Sequence, residues 1–236
     1  MERRDFIHSC AATTSSVCFS LSALPAALAQ AQPRDYARAK LVGSDGNPLK
    51  AAQLVAKRNY VFHYPFAATP CFLLDLDRAT ERAVALKGGN NAPYSWPGGV
   101  GVKRSVVAYS AICAHQLAYP TKEISFISFR AGKAGANQHA DVIHCCAEHS
   151  QYDPAAGAKV LAGPAPQPLA AILLEHDTAT DELTATGTLG GDMFNAFFKK
   201  YELKLTMEHG GRARNPVAAT CVVTELDNFC RQQVRC

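Results

Sequence analysis

Along most of this chain apolar residues come in short runs of strand length, cut by glycine and proline. Residues 59–66 are rich in Val, Phe and Tyr and read as a strand, as do 70–76, 104–110, 124–129, 141–144 and 170–175. Residues 53–56 read as a strand opening the fold, and 220–226 as a late one. Gly88-Gly89-Asn90-Asn91 and Trp96-Pro97-Gly98-Gly99 are turn punctuation, and the glycine-containing segment 131–135 joins two strands as a hairpin. After Gly187 to Gly191 the pattern changes: Phe194, Phe197, Phe198 and Tyr201 are spaced as one face of a helix, with Asp192 placed to cap it. Many short strands with a single helix near the end predict a small antiparallel all-β domain.

The chain of 236 residues is long enough for one domain with appendages. The boundaries expected are a leader over 1–31, a linker over 32–50, the main domain over 51–178 and a C-terminal extension over 179–236. A formal charge of +4, with no run of Lys or Arg and no aromatic stripe among basic residues, excludes a nucleic-acid surface. Arg3 and Arg4 precede a long charge-free stretch, which resembles a twin-arginine export signal and predicts a periplasmic location. Ala27-Leu28-Ala29 and Ala29-Gln30-Ala31 have the small-x-small form of a cleavage site, and retention as a membrane anchor is the alternative.

Nine cysteines are many for a reduced cytosolic protein, and Cys221, Cys230 and Cys236 crowd the C-terminal end. An oxidising compartment and a stapled tail are expected, with the pairing among Cys71, Cys221, Cys230 and Cys236 left open. Two segments carry the chemistry. Cys113-Ala114-His115 and Cys145-Cys146-Ala147-Glu148-His149 each offer a thiolate and an imidazole, a donor set for a transition metal. Spacing alone also allows a tetrahedral zinc site.

The second segment runs on into Ser150-Gln151-Tyr152-Asp153-Pro154, then Gly157 and Gly163-Pro164-Ala165-Pro166. Together these segments resemble Rieske iron–sulfur proteins. The resemblance implies a Rieske-type antiparallel β-sandwich with a cluster-binding subdomain, its loops within 111–166, and a 2Fe-2S cluster as cofactor. It also implies that Cys113 and Cys146 hold one iron and His115 and His149 the other, that Ser150 and Tyr152 donate hydrogen bonds to sulfur, and that Pro164 belongs to the covering loop.

The chain departs from the family pattern at three places. Ala118 and Glu148 stand where quinol-oxidising members carry a disulfide between the loops. His149 and Ser150 are adjacent, whereas the family has a residue between them, so alignment on the Ser-x-Tyr-Asp end would make Cys145 the ligand instead. The interval between the two segments is also longer than usual.

The function implied is one-electron transfer from a reduced donor, quinol among the possibilities, to an acceptor such as a cytochrome. A Rieske ferredoxin-like component of an oxygenase or other oxidoreductase and a zinc-stabilised, non-redox binding module are the alternatives. His63, His139, His176 and His209 lack ligand-spaced partners and read as structural or exposed.

Overall fold

The computed structural model describes residues 31–132 and 139–236. In chain order the strands are β1 (Arg34–Val42), β2 (Tyr60–His63), β3 (Pro70–Asp75), β4 (Val84–Lys87), β5 (Pro93–Trp96), β6 (Val106–Ser110), β7 (Ile124–Ser125), β8 (Ile127–Arg130), β9 (Val142–Cys145), β10 (Ser150–Asp153), β11 (Lys159–Ala162), β12 (Ala171–His176), β13 (Leu183–Leu189), β14 (Ala219–Val222), β15 (Thr224–Glu225) and β16 (Gln232–Gln233). The helices are α1 (Phe194–Lys200), α2 (Glu202–His209) and α3 (Leu226–Phe229). The protein is all-β with short helices, as its pattern predicts.

One eight-stranded sheet runs β14-β1-β13-β12-β6-β3-β2-β15, and a smaller antiparallel sheet runs β11-β10-β9-β8. At the centre of the large sheet β3 and β6 pair from Cys71↔Ser110 to Asp75↔Val106. Both strands are apolar on both faces, and the strand period of two sorts their side chains into two cores. Cys71, Leu73, Val106 and Ala108 join Leu41, Phe62 and Ala185 in one core. For strands so far apart in the sheet to share a core, the sheet must curl, and β14 at one edge indeed touches β2 near the other. Phe72, Leu74, Val107 and Tyr109 point the other way, into a core shared with Ile127 and Ile143 of the smaller sheet. That second core contains Cys113 and Cys145.

The boundaries drawn at 50 and 178 divide nothing structural. β1, from the expected linker, pairs antiparallel with β13 and parallel with β14, both from the expected extension. Charged residues of this expected linker are engaged in ion pairs: Arg34 with Asp192, Arg38 with Glu175 and Lys40 with Glu182. The expected strand over 53–56 is instead a 3₁₀ turn at Ala51–Gln53. α1 forms where predicted, with Phe194, Phe197 and Phe198 buried and the Phe194 N–H 3.3 Å from Asp192 Oδ1. α2 was not expected: Leu203 and Met207 are exposed on it, so its apolar pattern does not follow the buried face.

The twin-arginine leader expected over 1–31 lies outside the described residues except for Ala31, whose N–H donates to the Pro93 carbonyl at 2.9 Å. Among the described residues no helix is long and apolar enough to cross a membrane.

Candidate metal centre

The two Cys/His segments are turns at the ends of strands that share one core. After β6 the chain enters a tight loop in which the Cys113 N–H donates to the Ala118 carbonyl at 2.8 Å and the Leu117 N–H to the Cys113 carbonyl at 3.0 Å. The second segment is the turn between β9 and β10. Cys145 lies opposite Ser150, His144 opposite Gln151 and Ile143 opposite Tyr152, so residues 146–149 are the hairpin turn, closed by His149 at φ 58°.

Strand alternation then decides which cysteine faces inward. Ile143, Cys145, Ser150 and Tyr152 share one face of the hairpin, His144 and Gln151 the other. The inward face meets the first loop. Cys113, Ser150, Tyr152 and Cys145 are all 0% exposed. Cys113 and Cys145 share this core, and each bears directly on the charge of the other. Tyr152 Oη is 3.3 Å from Cys113 Sγ and accepts the Ala114 N–H at 3.2 Å, which leaves its own proton for the sulfur.

The two sulfurs have matching surroundings. The backbone amides of His115 and Gln116 favour the thiolate of Cys113, and those of Ala147 and Glu148 that of Cys145, in each case two and three residues ahead. The Cys145 thiol, aided by Tyr152 and these amides, holds Cys113 down at about 6 against burial, while Cys145 itself is pushed up because Cys113 takes the anion. Burial, with the neighbouring Cys113 adding to it, also pushes the Tyr152 hydroxyl up, keeping it a donor.

His115 is half-buried and its Nδ1 is enclosed without a hydrogen-bond partner; the Ser150 hydroxyl is likewise enclosed and unpartnered. His149 is exposed, its ring 5.9 Å from that of His144. Two buried sulfurs cradled by amides, with a buried imidazole nitrogen and a hydroxyl that lack partners, fit a metal–sulfur group better than a plain thiol core.

Cys146, expected as the second thiolate, does not face Cys113. It points to the C-terminal tail, where its sulfur is bonded to Cys236. A sulfur in a disulfide is not a thiolate ligand, and Cys145, one residue earlier in the strand alternation, occupies the position beside Cys113 instead. His144 contributes a ring nitrogen 3.6 Å from Cys236 Sγ, so His144, Cys146 and Cys236 form a second group of metal-type donors, with both sulfurs already engaged in the disulfide.

The loop after β11 packs on the hairpin turn. A Cβ at Gly163, which has φ +86°, would lie 2.5 Å from Ser150 Cα and 2.6 Å from the His149 carbonyl oxygen. Pro164 is exposed on this loop, while Ala165 packs against the core that holds the two sulfurs.

No family model matches the chain. Among solved structures it is similar to the soluble domain of the Rieske protein II (soxF) from Sulfolobus acidocaldarius. The identity is 25%, over 65% of this chain and 78% of that one, with a TM-score of 0.44.

Cysteine pairing was the part of the site that sequence reasoning missed. The available signal was alternation: in a strand ending at Cys145, side chains 143 and 145 share a face and 146 does not.

Proposed function

We propose that this chain is an exported electron carrier of the Rieske type, with Cys113 and Cys145 as the thiolate ligands of a 2Fe-2S cluster and His115 and His149 as its imidazole ligands. The observation that carries the reading is the meeting of two buried, amide-cradled sulfurs beside an unpartnered His115 Nδ1. When bound, such a cluster supplies a one-electron centre whose two neutral imidazoles raise its potential above that of all-Cys clusters.

The protein's own residues set the environment. Tyr152 donates to Cys113 and Ser150 has a free hydroxyl to offer, and donors to sulfur favour the more negative, reduced state. The core around Cys113 and Cys145 keeps water from the sulfurs. His149, exposed at the turn, offers an edge against which a redox partner can dock. A cytochrome or another oxidoreductase subunit suits that edge as acceptor, and a quinol or a reduced protein suits the donor side. The twin arginines at Arg3 and Arg4 support export of the folded, loaded chain to the periplasm.

Iron, acid-labile sulfide and zinc analysis of the purified exported protein tests this reading. About two irons and two sulfides per chain, with visible colour, are expected. A colourless protein holding one zinc would replace the electron carrier with a zinc-stabilised module.

A further inference from the structure

We propose that the C-terminal tail, residues 230–236, is a reducible strap that ties the two ligand loops to one another. It rests on the assignment of those loops as the cluster site.

The tail reaches the exit of the first loop and the second loop itself. On one side it runs along the segment leaving the first loop: the N–H groups of Arg231, Gln232 and Val234 donate to the carbonyls of Lys122, Glu123 and Ser125 at 2.9, 3.1 and 2.9 Å. β16 and β7 thereby form a short parallel pair. Arg130 of β8 adds a hydrogen bond to the Val234 carbonyl. On the other side the Cys146–Cys236 disulfide joins the tail to the second loop, next to Cys145, across a sequence separation of 90 residues. At its base, Leu226 and Cys230 are buried in the core that contains Cys113 and Cys145. The positions at which a direct bond between the loops would be sought, Ala118 and Glu148, carry no sulfur. The tail supplies the cross-tie indirectly, by hydrogen bonds to one loop's exit and a covalent bond to the other.

The covalent bond decides whether the strap holds. Arg231, Gln232, Arg235 and Cys236 are exposed, and a few hydrogen bonds of an exposed segment barely offset the entropy of ordering it. Closing a long loop by a disulfide removes that freedom from the open state. The exposure of Cys236 also makes the bond accessible to exchange. A dithiol reductant attacks one sulfur and releases the other as thiolate, and its second thiol then resolves the mixed disulfide. The dithiol is oxidised to its disulfide, and its two protons end on Cys146 and Cys236. In a reducing compartment the strap is therefore open and the buried sulfurs can be reached for loading; in an oxidising one it locks.

The test uses full-length protein in its cluster-free and loaded forms. In the cluster-free form, maleimide labelling of Cys113 and Cys145 is timed by mass spectrometry for wild type, for wild type opened with a phosphine reductant, and for Cys236→Ser. Opening the strap is expected to raise the labelling rate about tenfold, because buried thiols label through local opening. The reductant should add nothing in Cys236→Ser. In the loaded form, bleaching by a chelator should accelerate to the same extent under the same conditions. Equal rates in all forms, or a variant that responds to reductant as wild type does, would overturn the strap. Because reduced wild type serves as its own open form, the outcome does not hang on the folding of the variant. If the protein takes up no cluster, the cluster assignment fails, while the labelling rates still decide whether the tail closes over the two sulfurs.

Discussion

Tyr152 has two duties at one oxygen: it accepts the Ala114 N–H and donates to Cys113 Sγ. Its replacement by Phe removes both. The buried amide of Ala114 then has no partner, which costs about 1–3 kcal/mol of stability. Cys113 loses a donor that favours the reduced state, so Tyr152→Phe should lower the midpoint potential of the loaded protein, measured by protein-film voltammetry, as well as its denaturation midpoint. A fall in stability with an unmoved potential would show that the hydroxyl serves only the backbone. That Cys113, His115, Ser150 and Tyr152 belong to one candidate site was legible in the sequence because each sits in a motif of fixed spacing. The choice between Cys145 and Cys146 was not, because adjacent cysteines differ only in which face of a strand they occupy, and that depends on the hairpin register.

At the scale of elements, the β9–β10 hairpin and the Gly163 loop behave as one unit, since the loop's backbone lies where no side chain fits. Gly163→Ala would bring a methyl to within 2.5 Å of Ser150 Cα at a backbone angle that L residues rarely adopt. We expect a loss of about 2 kcal/mol or more in thermal or chemical unfolding, together with faster loss of the cluster. A variant as stable as wild type would mean that the loop lifts away from the turn without cost. The strands of the central sheet were readable from their apolar runs, β3 and β6 above all, because both their faces are buried. β1 was not, because charged residues interrupt its apolar positions and only their partners on β12, just before β13 and in the turn before α1 reveal them as paired. β10 was hidden for another reason: Ser150 and Gln151 are polar yet buried, in the service of the site rather than of packing.

For the whole molecule, α3 and the curled sheet meet around His63 at the end of β2, where Phe229 lies against the ring at 5.8 Å between centroids. Burial, with His209 and Lys122 adding to it, lowers this histidine to about 4, while Glu123 and Glu208 line the same cavity. Its ordinary value is 6.5. The unfolded chain therefore takes up a proton that the folded one refuses between those two values. Stability is full above pH 6.5, falls as pH drops toward 4 and loses nothing more from this group below that. Urea denaturation across this window should show the slope in wild type and a flatter one in His63→Gln; identical slopes would place the acid sensitivity elsewhere.

The chemistry of the whole molecule centres on Cys113 and Cys145 being the paired thiolates. Electron paramagnetic resonance of dithionite-reduced protein, comparing Cys145→Ser with Cys146→Ser in folded samples, tests this most directly. The low-average-g signal of a Rieske cluster is predicted to persist in Cys146→Ser and to vanish in Cys145→Ser. Its persistence in Cys145→Ser with loss in Cys146→Ser would contradict the assignment and return the second iron ligand to the residue that this structure bonds to the tail.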